Sequence, residues 1–332
     1  MTSRVYLYKR NRALKGVFSM SRKIRVTSIS APHLVYNGSE DYRAIANTAA
    51  DYIEGHIRKV LCRNNDLIVL PEVYDRPGGI SRDKAKIYYA ERGNIVLDRV
   101  KSIAKENKVN IVFSAIMDGG DGYMRNRQVF INRDGEEDGI YDKNHLVWEE
   151  HTESNAAFGK SASLVNMDFG KVGGVICYDL NFDELREQYV KLKPEVLCFS
   201  SMYHGGYVAR NWAYTCRSYF IGCVSQRQGY IINPLGEVIA ESNNYTDYLT
   251  AELNLDYVIA HIDYNWAKFQ AMQEKYGHLV KVEVPKGLGC VMITSESEEV
   301  SAKDMAKEFD IELLDDLFAR GRRQRAEFFG NK

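Results

Sequence analysis

From Ile24 onward, short apolar runs of strand length alternate with longer segments whose apolar residues recur every three or four positions. This alternation constrains the fold more than any other feature, because strands and amphipathic helices taking turns along a chain bury their apolar faces as layers of an α/β protein. Residues 24–30 read as a strand, and residues 42–61 as a helix with Ile45, Ala49, Tyr52, Ile53, Ile57 and Val60 on one face. A strand at 66–70, a helix at 95–105 and a strand at 110–116 follow, then strands at 128–132 and 139–142 around the turn Arg133-Asp134-Gly135. The second half repeats the style, with strands at 171–176, 195–199 and 219–225 and helices at 183–192 and 208–217. A hairpin at 230–240 turns through Asn233-Pro234-Leu235-Gly236, and a strand at 248–253 closes the series.

The balance of charge narrows the classes of function. Lys plus Arg (44) nearly equals Asp plus Glu (45), so the chain as a whole has no field to recruit nucleic acid or an anionic membrane. Its apolar runs are strand-length, and no membrane span is expected. The cysteines at 62, 177, 198, 216, 223 and 290 form no paired CxxC motif, and several sit in apolar runs. Buried free thiols in a reducing cytoplasm are the expectation.

Three stretches are expected along the chain. Residues 1–23 carry seven basic and no acidic side chains and lack the apolar core of a secretory signal, so they read as a mobile extension or an added strand, with an organelle transit peptide as the other reading. Residues 24–265 form the main domain. Residues 266–332 read as a helical, charged tail in which Ala302, Met305, Ala306, Phe309, Leu313 and Leu317 make an apolar stripe. That stripe is expected to pack across a subunit boundary.

Three polar residues stand where strand ends present chemistry. Glu72 follows Leu67-Ile68-Val69-Leu70-Pro71, Lys143 follows Gly139-Ile140-Tyr141-Asp142, and Cys177 follows Gly173-Gly174-Val175-Ile176. Singly, each has an ordinary explanation: a strand-end ion-pair partner, a solvated lysine, a core thiol. Together they supply what a thiol needs to attack an amide, namely a base and a positive charge that favours thiolate.

These segments resemble the nitrilase (carbon–nitrogen hydrolase) superfamily: Leu-Pro-Glu ending at Glu72, Tyr-x-Lys-x-His-Leu from Tyr141 to Leu146, and Gly-Gly-Val-Ile-Cys-Tyr-Asp from Gly173 to Asp179. The resemblance implies a four-layer αββα sandwich, with Glu72 as general base, Lys143 as oxyanion stabiliser and Cys177 as nucleophile. It also implies a second glutamate, for which Glu149, Glu150 and Glu153 compete. Glu153 is expected, because Glu153-Ser154 with Gly159 downstream is similar to the family pattern. Cys-Tyr-Asp resembles the amidase-like branch more than true nitrilases. Asn181 stands where many members have arginine, which weakens a carbamoylase reading.

The expected activity is hydrolysis of a small linear amide through a cysteine thioester, with the backbone N–H of Tyr178 helping Lys143 to hold the oxyanion. Tyr203 and His204, just after a strand end, are expected to line the pocket mouth, and His145 to make a structural hydrogen bond. No metal or organic cofactor is expected, since the histidines lack zinc spacing. A homodimer or higher homo-oligomer is the expected assembly. The rival readings are an N-carbamoyl-amide hydrolase or a nitrilase using the same site, and a binding or scaffold protein that keeps the fold without turnover.

Overall fold

The computed structural model describes residues 22–330, so the basic stretch before Arg22 lies outside the described residues. The chain divides into two compact units. The larger comprises residues 23–255 and 283–292, and the smaller, among the described residues, comprises 256–282 and 293–330 together with Arg22.

The first half of the larger unit runs β1 (Lys23–Ile29), α1 (Tyr42–Leu61), β2 (Leu67–Val69), α2 (Arg82–Arg92), α3 (Ile95–Asn107), β3 (Asn110–Asp118), β4 (Met124–Ile131), β5 (Glu137–Asp142) and α4 (Trp148–Thr152). The second half runs β6 (Leu164–Met167), β7 (Gly170–Ile176), α5 (Asp183–Leu192), β8 (Val196–Ser201), α6 (Gly206–Cys216), β9 (Tyr219–Val224), β10 (Tyr230–Ile232), β11 (Val238–Glu241) and β12 (Tyr248–Asn254). Two six-stranded sheets result, in the orders β12-β1-β2-β3-β4-β5 and β11-β10-β9-β8-β7-β6.

Each sheet has a parallel centre, β1-β2-β3 in one and β7-β8-β9 in the other. The all-apolar, wholly buried β2 and the buried β8 are what such a centre demands, since both faces of these strands are covered. Outside the first sheet lie α1 and α3; Ile45, Ala49, Ile53, Ile57 and Val60 of α1 are buried, as their helical spacing predicts. Asp41 caps α1 by accepting the Ala44 N–H at 2.9 Å. On the outside of the second sheet α5 and α6 pack on one another, and α6 packs on β9. The order of layers is therefore helix, sheet, sheet, helix.

Polar groups stitch the two sheets together. Ser200 Oγ donates to Leu70 O at 2.8 Å, Gln128 Nε2 to Cys198 O at 3.1 Å, and Ser28 Oγ to Gly222 O at 3.0 Å. The backbones approach so closely that a Cβ at Gly174 would lie 2.4 Å from Gln128 Oε1 and 2.6 Å from Tyr141 Cβ. This pins β7 against β5, three residues before Cys177 and two residues before Lys143.

The chain beyond residue 255 corrects the expectation of a helical tail. After β13 (Tyr257–His261) and α7 (Trp266–Tyr276) the chain makes two further strands, β14 (Val280–Glu283) and β15 (Cys290–Ser295), giving a sheet of order β13-β15-β14. The apolar stripe is split between α8 (Ala302–Glu308) and α9 (Leu314–Gly330), because Asp310 adopts a left-handed conformation (φ 49°) between them. Of the stripe, Ala302, Met305 and Ala306 are buried within the chain itself, while Phe309, Leu313 and Leu317 are half-buried.

Candidate active site

Glu72 emerges at the end of β2, followed by Val73 in the left-handed region (φ 47°), a conformation a β-branched residue adopts only when its surroundings impose it. Those surroundings are the Ser114 hydroxyl, which accepts the Val73 N–H at 3.2 Å, and His33, whose Nε2 lies 2.9 Å from Glu72 O. Lys143 leaves β5 with its N–H donated to Asn126 O at 2.8 Å. Both catalytic candidates are buried.

Four side chains close a ring. Lys143 Nζ donates to Glu72 Oε1 at 3.0 Å and to Glu150 Oε2 at 2.8 Å, while Asn126 Nδ2 donates to Glu72 Oε1 and to Glu150 Oε1, each at 2.8 Å. Glu150 lies in the first turn of α4 and reaches back to accept the Val147 N–H at 2.9 Å, a cap that also aims its carboxylate at Lys143.

Cys177 arrives from the second sheet. It opens a single 3-10 turn, Cys177–Asn181, with φ 45°, another strained position at a strand end. Asp179, wholly buried in that turn, accepts the Tyr141 hydroxyl at 2.6 Å and the His145 N–H at 2.7 Å, so the cysteine turn is tied to the residues on either side of Lys143. The His145 ring lies 3.1 Å from Asp179 through Nδ1 and stacks on Phe182 with centroids 3.7 Å apart, a structural placement. Cys177 lines the same cavity as Glu72, Lys143 and Met202.

The charges settle one against another. Burial pushes the Glu72 carboxyl up, but the Lys143 ammonium and hydrogen bonds from Lys143, Asn126 and Cys177 outweigh it and hold the group below the usual glutamate range. Burial acts against the Lys143 ammonium, yet Glu72, Glu150 and Cys177 raise it above an ordinary lysine. Burial and the neighbouring Glu72 charge push the Cys177 thiol up to about 12, with Lys143, Ser201 and Met202 pulling only partly back. Lys143 is thus held between two carboxylates, and burial together with the Glu72 charge works against ionisation of the thiol.

These groups open into a cavity of about 270 Å³, small for a ligand site. Ile80, Ala85, Ile116 and Met202 supply apolar wall; Arg76, Arg82, Lys86 and Glu149 supply charge. Among the described residues, no group of three or more His, Cys, Asp or Glu is placed to hold a metal ion.

The family description "Carbon-nitrogen hydrolase" matches residues 25–262. The chain belongs to the carbon–nitrogen hydrolase family. It is an amidohydrolase of the amidase-like branch of the nitrilase superfamily, with the α/β sandwich of that group. It is 22% identical over 263 residues to the omega-amidase NIT3 of Saccharomyces cerevisiae, covering 71% of this chain and 88% of that protein. To the deaminated glutathione amidase of Dictyostelium discoideum it is 27% identical, over 61% of this chain and 81% of that one. The crystal structure of Saccharomyces cerevisiae Nit3, described as a member of branch 10 of the nitrilase superfamily, superposes with a TM-score of 0.59 at 22% identity, covering 71% of this chain and 91% of that one.

In this hydrolase the geometry revises two of the expected roles. Glu153 follows the last residue of α4, is half exposed and pairs with Arg82; the carboxylate on Lys143 is that of Glu150, one turn earlier. Tyr203 and His204 lie outside the lining of the Cys177 cavity, where Met202 takes their place. His204 instead borders a separate cavity with Tyr207, Arg210 and Tyr230, whose hydroxyl donates to His204 O at 2.6 Å. Tyr178 has a half-exposed ring edge-on to Phe182, and its N–H belongs to the first residue after Cys177 in the 3-10 turn. Glu72, Lys143 and Cys177 are brought together. Asn126 and Arg76 were missed by sequence reasoning: Asn126 lies in the part of β4 that precedes the apolar run, and Arg76 lies in a loop with no periodicity to set it apart.

Proposed function

We propose that the hydrolase cleaves a small linear amide through a covalent Cys177 thioester. The observation that supports this reading is that Glu72 and Lys143, buried and bonded to each other at 3.0 Å, line one cavity with Cys177. Glu72 takes the thiol proton as Sγ bonds to the amide carbon. Because the thiol is so weak an acid, proton transfer and carbon–sulfur bond formation proceed together rather than through a stored thiolate.

The oxygen that gains charge is held by Lys143 Nζ and the Tyr178 N–H, the second amide of the 3-10 turn that opens at Cys177, in the first turn where N–H groups lack an intrahelical partner. Protonated Glu72 then delivers its proton to the departing nitrogen, the carbon–nitrogen bond breaks and a thioester remains. Water, deprotonated by Glu72, attacks the thioester; the carbon–sulfur bond breaks and the proton returns to sulfur. Glu150 and Asn126 act through Lys143 and Glu72 as positioning residues.

Acid-quenched mass spectrometry during turnover tests the reading. The peptide containing Cys177 should gain the acyl mass of the substrate, and Cys177→Ala protein should gain nothing and hydrolyse nothing. Retention of more than a few per cent of the activity by that variant would sink the assignment. Paired amide and nitrile substrates separate an amidase from a nitrilase.

The same reading includes a homodimer or higher homo-oligomer, supported by exposed Val190 and Leu192 on α5 and Tyr207 on α6. Light scattering checks it, and a monomeric mass overturns it. A cytoplasmic location is supported by six free cysteines. Among the described residues no helix is long and apolar enough to cross a membrane.

A further inference from the structure

The Cys177 cavity does not stand alone. A second cavity, of about 660 Å³, adjoins it and shares three residues of its lining: Lys86 and Tyr89 on α2, and Ser154 after α4. The larger space falls within the usual range for a ligand site, whereas the Cys177 cavity falls just short of it. A short acyl group occupies the smaller space, and a short primary amide leaves the larger one empty.

The two cavities have a direction. The larger is lined by residues between Lys86 and Asn155, the part of the chain that also carries Lys143 and follows Glu72. Among the described residues, Cys177 and Met202 alone bring the second sheet's half of the chain to the smaller cavity. The amide carbon must meet Sγ on that side, while the departing nitrogen must face Glu72, from which it takes a proton. A substituent on the nitrogen therefore runs along the first sheet's half, past Tyr89, into the larger cavity.

The walls say what that substituent can be. Leu97, Met117 and Met124 supply apolar surface, and the two methionines adapt its shape. The buried or partly buried charges already have partners: Arg92 sits on Asp75, Arg127 on Asp142 at 2.6 Å, and Glu137 accepts from Lys101 at 3.3 Å. Lys86 and Asp118 are exposed. An uncharged, mainly apolar group thus enters without stranding a charge.

Building on the amidase reading, we infer that the larger cavity holds the leaving amine, so that the hydrolase acts on N-substituted amides with a short acyl group and an uncharged alkyl or aryl amine. The carbon–nitrogen bond breaks as the nitrogen takes the Glu72 proton, the product is a free amine in place of ammonia, and the acyl group stays on Cys177 until water removes it.

Two isomers test this. N-Butylbutanamide and octanamide differ in whether one butyl group extends from the nitrogen or from the acyl chain, and butanamide is the short reference. The wild type should favour N-butylbutanamide over octanamide in kcat/KM by at least about tenfold, carried by KM, the effect of burying about two methylene groups. Ala90 and Asn94 are exposed and line the larger cavity but not the smaller. The preference should collapse in Ala90→Trp and Asn94→Trp, with circular dichroism confirming that each is folded. An equal or reversed ratio in the wild type, or one that both tryptophans leave unchanged, overturns the inference, while hydrolysis of butanamide leaves the amidase reading intact. If none of the three amides is hydrolysed, the amidase reading falls, and calorimetry on Cys177→Ala protein decides the inference by itself. N-Butylbutanamide should then bind at least about tenfold more tightly than octanamide, and equal Kd values overturn the inference.

Discussion

Lys143 Nζ stands 2.8 Å from Glu150 Oε2, closer than the 3.0 Å that separates it from Glu72 Oε1. The ammonium is thus suspended between two carboxylates, and removing either changes where it rests. Glu150→Gln should lower kcat by about 10²-fold, the scale on which a displaced oxyanion donor is felt, with KM little changed. Glu153→Gln, which touches only the exposed pair with Arg82, should stay within about twofold of wild type. Steady-state kinetics on the two variants separates them, and the reverse ranking would return the role to Glu153.

The protonation pattern predicts a broad plateau in pH. Glu72 sits below its usual range and the thiol rises to about 12, so the base is ionised and the nucleophile protonated throughout the neutral region. kcat/KM should therefore be flat near neutrality and fall on the acid side only below the ordinary glutamate value of about 4.3. Stability follows the same group. A depressed carboxyl contributes stability that is present above its unfolded pKa and lost as pH falls through the folded one. An absorbance titration of wild type against Cys177→Ala should place the thiolate step in the strongly alkaline region; a step near neutral pH refutes the resting state described here.

Gly174 should tolerate no side chain. An added Cβ meets Gln128 and Tyr141 across the sheet interface, and the Tyr141 contact is through its Cβ, which cannot swing aside. Gly174→Ala should cost about 1–3 kcal/mol in chemical denaturation. It should also lower kcat, because Tyr141 holds Asp179 and hence the cysteine turn. A variant of wild-type stability would mean that the two sheets have slack at this point.

The far end of α9 should be dispensable. Beyond Leu314 its residues are half or fully exposed, whereas Ala302, Met305 and Ala306 are buried. Truncation after Ala319 should leave the melting temperature within a few degrees, while deletion from residue 299 should unfold the smaller unit, as proteolysis would reveal. Equal behaviour of the two truncations refutes the packing described for α8.

The residues most legible in the sequence were those where one physical demand dominates. The bounds of α1 and α5 coincide with the apolar periodicity, and Glu72 and Cys177 each close a buried apolar strand, whereas Lys143 closes the more polar β5. Legibility failed where demands mix. The buried face of α2 is Ala85, Tyr88, Tyr89 and Arg92, an arginine among aromatics, which hides the helical period. Glu150 lies in a helix of five residues and Glu153 just past its end, one turn on, so sequence spacing leaves both on roughly the same face; the difference lies in which of them reaches back to the Val147 N–H. The strands β14 and β15 belong to a stretch whose flanking charges made it read as helical tail.

Glu72 and Lys143 come from one sheet and Cys177 from the other, with Asp179 and Gly174 fastening the two at the point of chemistry. On the ribosome, base and lysine emerge first, and the cysteine follows on a strand that has nothing to dock against until its own sheet forms. A nascent or half-melted chain thus carries a protonated, unassisted thiol with the chemistry of any other cysteine. On the proposed mechanism, hydrolytic power is a property of the docked pair of sheets, and a hydrolase assembled in this way is silent toward the amides of its surroundings until folding is complete.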